Sequence, residues 1–393
     1  MKRKITAIAG LLIVIFIIII LSDGLAFADD AEQELNDNIS SILDGLDLSA
    51  IEEYIKNHGN DFIFSFGDSA RDIVEYLLHG NLNIDYSSYL GEIFSVLFEN
   101  VISLVPAFAQ IVALSVICAI VKSAEGSIMS KSTTKAVRIA CYALIITILI
   151  AMLGGVIATA AQSIDNIKAQ VEVVTPVLVT LTVLTGGSGA GAIYSPSALF
   201  ISGGAVEIVS GLIFPATVGI IVINFISKLS PDLSFSGTSK LIKSILKWVI
   251  GITLAIFSIF ITVQSTASSL FDGIFFKATK YLVGSSVPIV GNFLSAGVDM
   301  IVAAGSVIKS SVGMLGIVLL IIEVAPPIIL FAAFSLILKF VAAVVQPIGE
   351  GTLFLLFSDL AGDIEYFIAG LCTVAFMYAL VVMLIISSAT NYI

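Results

Sequence analysis

Long apolar stretches separated by short polar ones dominate the chain from residue 101 onward. They occupy about 101 to 121, 139 to 161, 173 to 193, 199 to 226, 248 to 267, 281 to 307, 312 to 338 and 366 to 388. Each approaches the roughly 20 residues a helix needs to cross a hydrocarbon layer about 30 Å thick. The pattern therefore predicts an all-α, polytopic transmembrane helical bundle of six to eight spans. Residues 29 to 100 have a different pattern, with apolar positions at helical spacing on otherwise polar segments. Leu35, Ile39, Ile42 and Leu43 mark one amphipathic helix, and Ile51, Tyr54 and Ile55 a second after the capping-box sequence Ser49-Ala50-Ile51-Glu52. Asp68 is placed to cap a third that carries Ile73, Val74, Leu77 and Leu78. Gly59-Asn60, Gly67 and Gly80-Asn81 punctuate these helices. So short a segment makes a marginal core on its own, which predicts packing on the membrane domain or on partner proteins. A solvated acidic spacer is the alternative.

The first 28 residues add a third pattern. Lys2-Arg3-Lys4, an apolar run from Ile5 to Leu21 and Ala26-Phe27-Ala28 before Asp29-Asp30 have the layout of a secretory signal peptide. Because the apolar run is long for a signal, an uncleaved signal anchor is the other reading. Either one exports the acidic segment, giving a signal at 1–28, an acidic extracytoplasmic helical segment at 29–100 and a multispanning membrane domain at 101–393.

Composition excludes soluble enzyme folds: 58% of the 393 residues are hydrophobic and only 12% charged, too few to coat a water-soluble globule. The net charge of -11 is local. Residues 29 to 100 hold 16 Asp or Glu against Lys56 and Arg71, while 101 onward holds 13 basic and 12 acidic residues. The exported segment thus repels nucleic acid and anionic headgroups.

Basic loops orient the spans. Lys122, Lys131, Lys135 and Arg138 place one loop in the cytoplasm, and Lys228, Lys240, Lys243 and Lys247 another. An even number of crossings must separate them, yet three apolar runs lie between. The run 173 to 193, with Pro176 and Gly186-Gly187-Ser188-Gly189-Ala190-Gly191, is therefore expected to be broken or re-entrant. The run 281 to 307, with Gly284, Pro288, Gly291, Gly297 and Gly305, is similar. Close helix packing on small residues is the alternative for both. If neither run crosses, six spans leave the tail from Ser387 outside.

Chemistry is sparse. No Lys-Ser or Lys-Thr comes after the glycines to make a phosphate loop, and Ala190 stands where a nucleophile elbow needs Gly. His58 and His79, the only histidines, precede the spans, and Cys118, Cys141 and Cys372 lie in apolar segments as packing thiols. No catalytic residue, cofactor or metal is predicted. Glu207, Asp299 and Glu323 are the functional candidates, because a charge near the bilayer centre costs at least about 2.5 kcal/mol on insertion scales. Each would line an aqueous path or make a hydrogen bond between helices. They would hold coupling ions if the chain were a stand-alone secondary transporter or an ATP-driven permease subunit.

The layout of signal, acidic exported segment and multispanning domain resembles the stage III sporulation protein AE family. Val287-Pro288-Ile289-Val290-Gly291, running through Leu294-Ser295-Ala296-Gly297 to Ile308-Lys309 and Val312-Gly313, is similar to the family's most specific block. Gln346-Pro347-Ile348-Gly349-Glu350 and Thr185-Gly186-Gly187 resemble two further patterns, with Glu350 where the family has aspartate. The resemblance implies a non-enzymatic membrane subunit of the channel or secretion-like complex that links mother cell and forespore during engulfment. Its implied setting is the mother-cell membrane around the forespore. Its implied partners are the other stage III A proteins, the forespore stage II protein Q through ring-forming partners, and a separate ATPase. Gly186, Gly187, Ser188, Gly189, Pro288, Gly291, Lys309, Gln346 and Pro347 join the three acids as candidates for pore or helix-packing surfaces. A non-conducting scaffold is the remaining alternative.

Overall fold

The computed structural model describes residues 29–59, 61–78, 86–125, 129–185, 200–229, 235–286, 290–348 and 351–387. The signal-like residues 1–28, His79, the glycine run from Gly186, Pro288 and Gly349-Glu350 lie outside them. All regular elements among the described residues are helical. Four short helices come first: α1 Asp29–Gly45, α2 Ser49–His58, α3 Asp61–Phe64 and α4 Ala70–Leu78. The caps differ from those the sequence suggested. Asp47, rather than Ser49, opens α2 by accepting from the Ser49 amide at 3.0 Å and its hydroxyl at 2.5 Å. These bonds hold the Asp47 carboxyl below its usual range. Ser69, rather than Asp68, caps α4, exchanging 3.1 Å bonds with Asp72 in a reciprocal box.

Beyond the short helices, the described residues form six longer helical rods, each long and apolar enough to cross a membrane. They are α5 Tyr86–Ser123, α6 Lys131–Leu184, a rod ending in α7 Phe214–Leu229, α8 Ser236–Ser286, α9 Val290–Val345 and α10 Gly351–Ser387. The α7 rod begins with π turns over Phe200–Ala205 and Val209–Ile213 around one α turn, Val206–Ile208. A 3₁₀ turn, Gln346–Ile348, separates α9 from α10. Pro176, expected to interrupt a span, lies inside α6, and Pro326-Pro327 lie inside α9. A proline removes one amide donor and crowds the carbonyl four residues back, but packing on neighbouring helices offsets that loss. Residues 139 to 184 are consequently one helix, which ends just before Thr185 and the glycine run. The stretch 281 to 307 is shared between the end of α8 and the start of α9, with Pro288 between them in sequence.

The lengths create a physical problem that the packing solves. At about 1.5 Å per residue, α6 and α9 extend roughly 80 Å, more than twice the hydrocarbon thickness. Large exposed apolar side chains mark where lipid is met: Ile139, Leu144 and Ile150 on α6, Leu336 and Phe340 on α9, and a stripe on α8 from Leu241 to Val263 that includes Trp248, 70% exposed. Between Val302 and Ala325, by contrast, no residue of α9 is exposed. That half is wrapped by α6, α10 and the N-terminal helices, with α1 and α4 against α9 and α2 against α6. The short helices thus form a collar around the part of the bundle that lipid does not cover, as their marginal core requires. Two glycines allow the close approach. A Cβ at Gly316 would come within 3.0 Å of Val174, and one at Gly370 within 2.8 Å of Phe214.

The order of the rods fixes the parity. α6 and the α7 rod are the two crossings between the basic loops, so both loops lie at one end of the bundle, and the α9–α10 turn joins them there. The collar occupies the other end. Six helices among the described residues are long and apolar enough to cross, and Ser387 ends on the collar side.

Candidate functional site

Polar side chains buried in the bundle gather in two clusters. At the basic end, α10 presents Leu353, Leu356, Leu360, Asp363 and Phe367 along one buried face, so Asp363 enters the core at a position its spacing assigns to an apolar residue. It is fully buried. The Lys243 ammonium of α8 lies 2.6 Å from one carboxylate oxygen, and Asn224 of α7 donates to the other at 2.7 Å. The Tyr366 hydroxyl donates to the Lys243 carbonyl at 3.3 Å. Around this pair, Lys228 stands 3.7 Å from Asp359, and Lys339 binds Glu365 at 2.9 Å. Three of the cationic side chains at this end therefore have carboxylate partners on α10. One oxygen of the buried carboxylate thus accepts a hydrogen bond and the other faces a cation without a well-aligned hydrogen bond, so the ion pair offsets its desolvation.

At the collar end the bonds are of another kind. Asn166 of α6 donates to the Glu323 carboxylate of α9 at 2.7 Å, and Gln170 one turn on donates to the Gly316 carbonyl at 2.6 Å. The collar reaches the same place through Tyr54, whose hydroxyl donates to the Asn166 carbonyl at 3.3 Å. His58 stacks on the Tyr54 ring with centroids 4.4 Å apart, its Nδ1 lying 3.2 Å from the Tyr54 carbonyl. Burial, helped by the nearby Glu323 charge, pushes the Tyr54 phenol well above its usual value, so it stays a neutral donor. Tyr378 of α10 is fully buried beside Gly316. This layer fastens one collar helix to two spanning rods.

The candidate residues are spread along the bundle. Glu323 stands roughly 37 Å along α9 from Ile348, and Glu207 about 32 Å along its rod from Lys228, using 1.5 Å per residue. Both carboxylates thus lie about one hydrocarbon thickness along their rods from the basic end. Glu207 is exposed, with its Oε1 over Gly211, and no bond joins it to Glu323 among the described residues. Asp299 and Gly291 lie in the first part of α9. Lys309 is fully buried, midway between Gly305, which abuts Thr185 of α6, and Gly313, which abuts Ile386 of α10. Gln346 and Pro347 form the exposed 3₁₀ turn at the basic end. Gly186, Gly187, Ser188, Gly189 and Pro288 lie outside the described residues.

Sequence reasoning passed over Asp363, Asn224, Asn166 and Gln170. The usable signal was periodicity: Asp363 and Gln170 fall on the buried stripes of their helices. No group of three or more His, Cys, Asp or Glu side chains placed to hold a metal ion occurs among the described residues. Cys118 and Cys141 are buried and Cys372 is half-buried.

Residues 69–389 match the family model for stage III sporulation protein AE. The stage III sporulation protein AE of Bacillus subtilis (strain 168) is 22% identical over 333 residues, covering 84% of each chain. No solved structure matches this chain. With six spanning rods and a match over most of its length, the chain belongs to the stage III sporulation protein AE family and is a multi-pass membrane protein of sporulation.

Proposed function

We propose that this protein is a non-enzymatic membrane subunit of the complex that links mother cell and forespore, sitting in the mother-cell membrane with its collar outside the cytoplasm. The observation that carries the reading is the polarity of the bundle. Basic loops gather at one end, and a wrapped, acidic half rises from the other. Basic loops stay in the cytoplasm during insertion, which puts the collar in the space between the two membranes. There it meets the other stage III A proteins and, through ring-forming partners, the forespore stage II protein Q; a separate ATPase supplies energy. The glycine run from Gly186 and the segment around Pro288, which continue the chain from rod ends on the collar side, are the surfaces offered to a conduit. A stand-alone transporter is disfavoured because Glu207 and Glu323 occupy separate environments, and Glu323 is held by Asn166.

Two measurements test this reading. The full-length tagged protein, purified in mild detergent from sporulating cells, should bring down other stage III A proteins; recovery without them sinks the proposal. In a Cys-less background, an impermeant thiol reagent should label Asn57→Cys in the collar and leave Thr238→Cys at the basic end untouched. Labelling at Ser188→Cys and Ser295→Cys, blocked by bulky neighbours that also arrest the forespore, would distinguish a conduit from a scaffold.

A further inference from the structure

A cleft of about 680 Å³ runs between the collar and the far half of α6. Its floor is apolar, formed by Ile42 and Leu46 from α1 and its adjoining turn, and by Val173 and Val177 from α6. Its rim is acidic, with Asp47 on one wall and Glu172 on the other, and no basic residue lines it. We propose that this cleft is a docking groove for an amphipathic helix of a partner protein, one with an apolar face and Lys or Arg along its edge. The inference rests on the complex-subunit reading above and names the chemistry of one contact within it.

Shape and charge point to this occupant. The α6 wall extends from Glu172 to Leu184, about 18 Å at 1.5 Å per residue. That takes three turns of a helix anchored at positions such as i, i+4 and i+7, the usual helix-in-groove arrangement. The collar's charge is uncompensated at the rim. Its Lys and Arg are paired elsewhere, Lys56 with Glu52 at 2.7 Å and Arg71 with Glu75 and Asp44. Lys168, one turn from Glu172, makes no ion pair with it, and Asp47 gives only one oxygen to the cap of α2. A basic edge is therefore attracted, whereas anionic headgroups and a second copy of the same acidic face are repelled.

The test uses the full-length protein in sporulating cells with a photo-crosslinking residue at Ala50 or Thr180, both on the cleft wall, and at lipid-facing Trp248 as control. The expected product joins Ala50 or Thr180, and not Trp248, to a mapped peptide of another protein with helical apolar spacing and Lys or Arg on its edge. Glu172→Lys should lower the yield roughly tenfold, the scale of a reversed charge at an interface, with Glu172→Gln between it and wild type. Ala50→Trp, which fills the groove, should remove the product while protein level and thermal unfolding stay unchanged. Crosslinks to residues 1–28 or 186–199 of the same chain, to a second copy, or to lipid would overturn the proposal. So would a yield indifferent to Glu172→Lys, or no product at all. If the product fails while stage III A proteins still co-purify, the groove assignment falls and the complex reading stands; if co-purification fails as well, both fall.

Discussion

The two polar clusters hold the same bundle by different means. At the basic end the bonds join full charges: Lys243 to buried Asp363, Lys228 to Asp359, and Lys339 to Glu365. At the collar end they join mainly neutral amide, hydroxyl and carbonyl groups, with Glu323 the single carboxylate and Asn166 its donor. The difference reflects what each end must do. Cations that orient the spans remain close to apolar helices, and α10 supplies their counter-charges from inside the bundle. Asn166 and Gln170 join α6 to α9 without a cation, and Tyr54 ties the collar to the same layer through a backbone carbonyl. Charge pairs hold the helices at one end, and neutral donors hold them at the other.

Breaking the charged pair should have the largest effect. Lys243→Met leaves the Asp363 charge buried with Asn224 as its remaining partner and is expected to cost about 3–5 kcal/mol, as for other half-removed buried pairs. The double change Lys243→Met with Asp363→Leu should recover most of that loss. Both are read from unfolding of the purified protein in detergent, and a single variant that unfolds like wild type would show that pairing does not hold this end.

Glu323→Leu should come next, at about 1–3 kcal/mol, because it strands the Asn166 amide without its acceptor. Glu323→Gln keeps an acceptor oxygen and should behave nearly as wild type. Hydrogen exchange in α2 is the sensitive readout; equal loosening by Leu and Gln would mean that charge, rather than the hydrogen bond, secures the collar. The smallest change is Tyr54→Phe, which removes one 3.3 Å bond and about 0.5–1.5 kcal/mol. It also carries a pH signature. The folded Tyr54 phenol is raised above the ordinary 10.0, so its contribution is complete below that value and is lost as pH rises towards the folded value. Alkaline loosening of α2 that persists unchanged in Tyr54→Phe would assign the effect to another group.

Much of this architecture was legible in the pattern of apolar residues. Spans, amphipathic collar helices and the even crossing number came from run length, spacing and basic loops. The boundaries did not, for two physical reasons. Pro176 reads as a break because an isolated helix would kink there, but neighbouring rods hold α6 through the proline position. The polar stretch from Gln162 to Glu172 separates two apolar runs in the sequence. It is helix because α6 passes out of the lipid belt and into the collar, where polar side chains have partners. The clusters were the least legible part, since Asp363 and Gln170 are each one polar residue within an apolar stripe. Which helix supplies the partner depends on packing between segments far apart in sequence.

That separation has a consequence for how the molecule is made. Tyr54 is joined to Asn166, 112 residues later, and the cluster is complete only when Glu323 arrives on α9. At bacterial elongation rates of roughly 5–20 residues per second, the short N-terminal helices wait on the order of 10 to 50 s for the rods they will grip. During that interval their apolar faces have no resident surface to cover them. The collar, among the first parts of the protein to leave the ribosome, is therefore among the last to find its place.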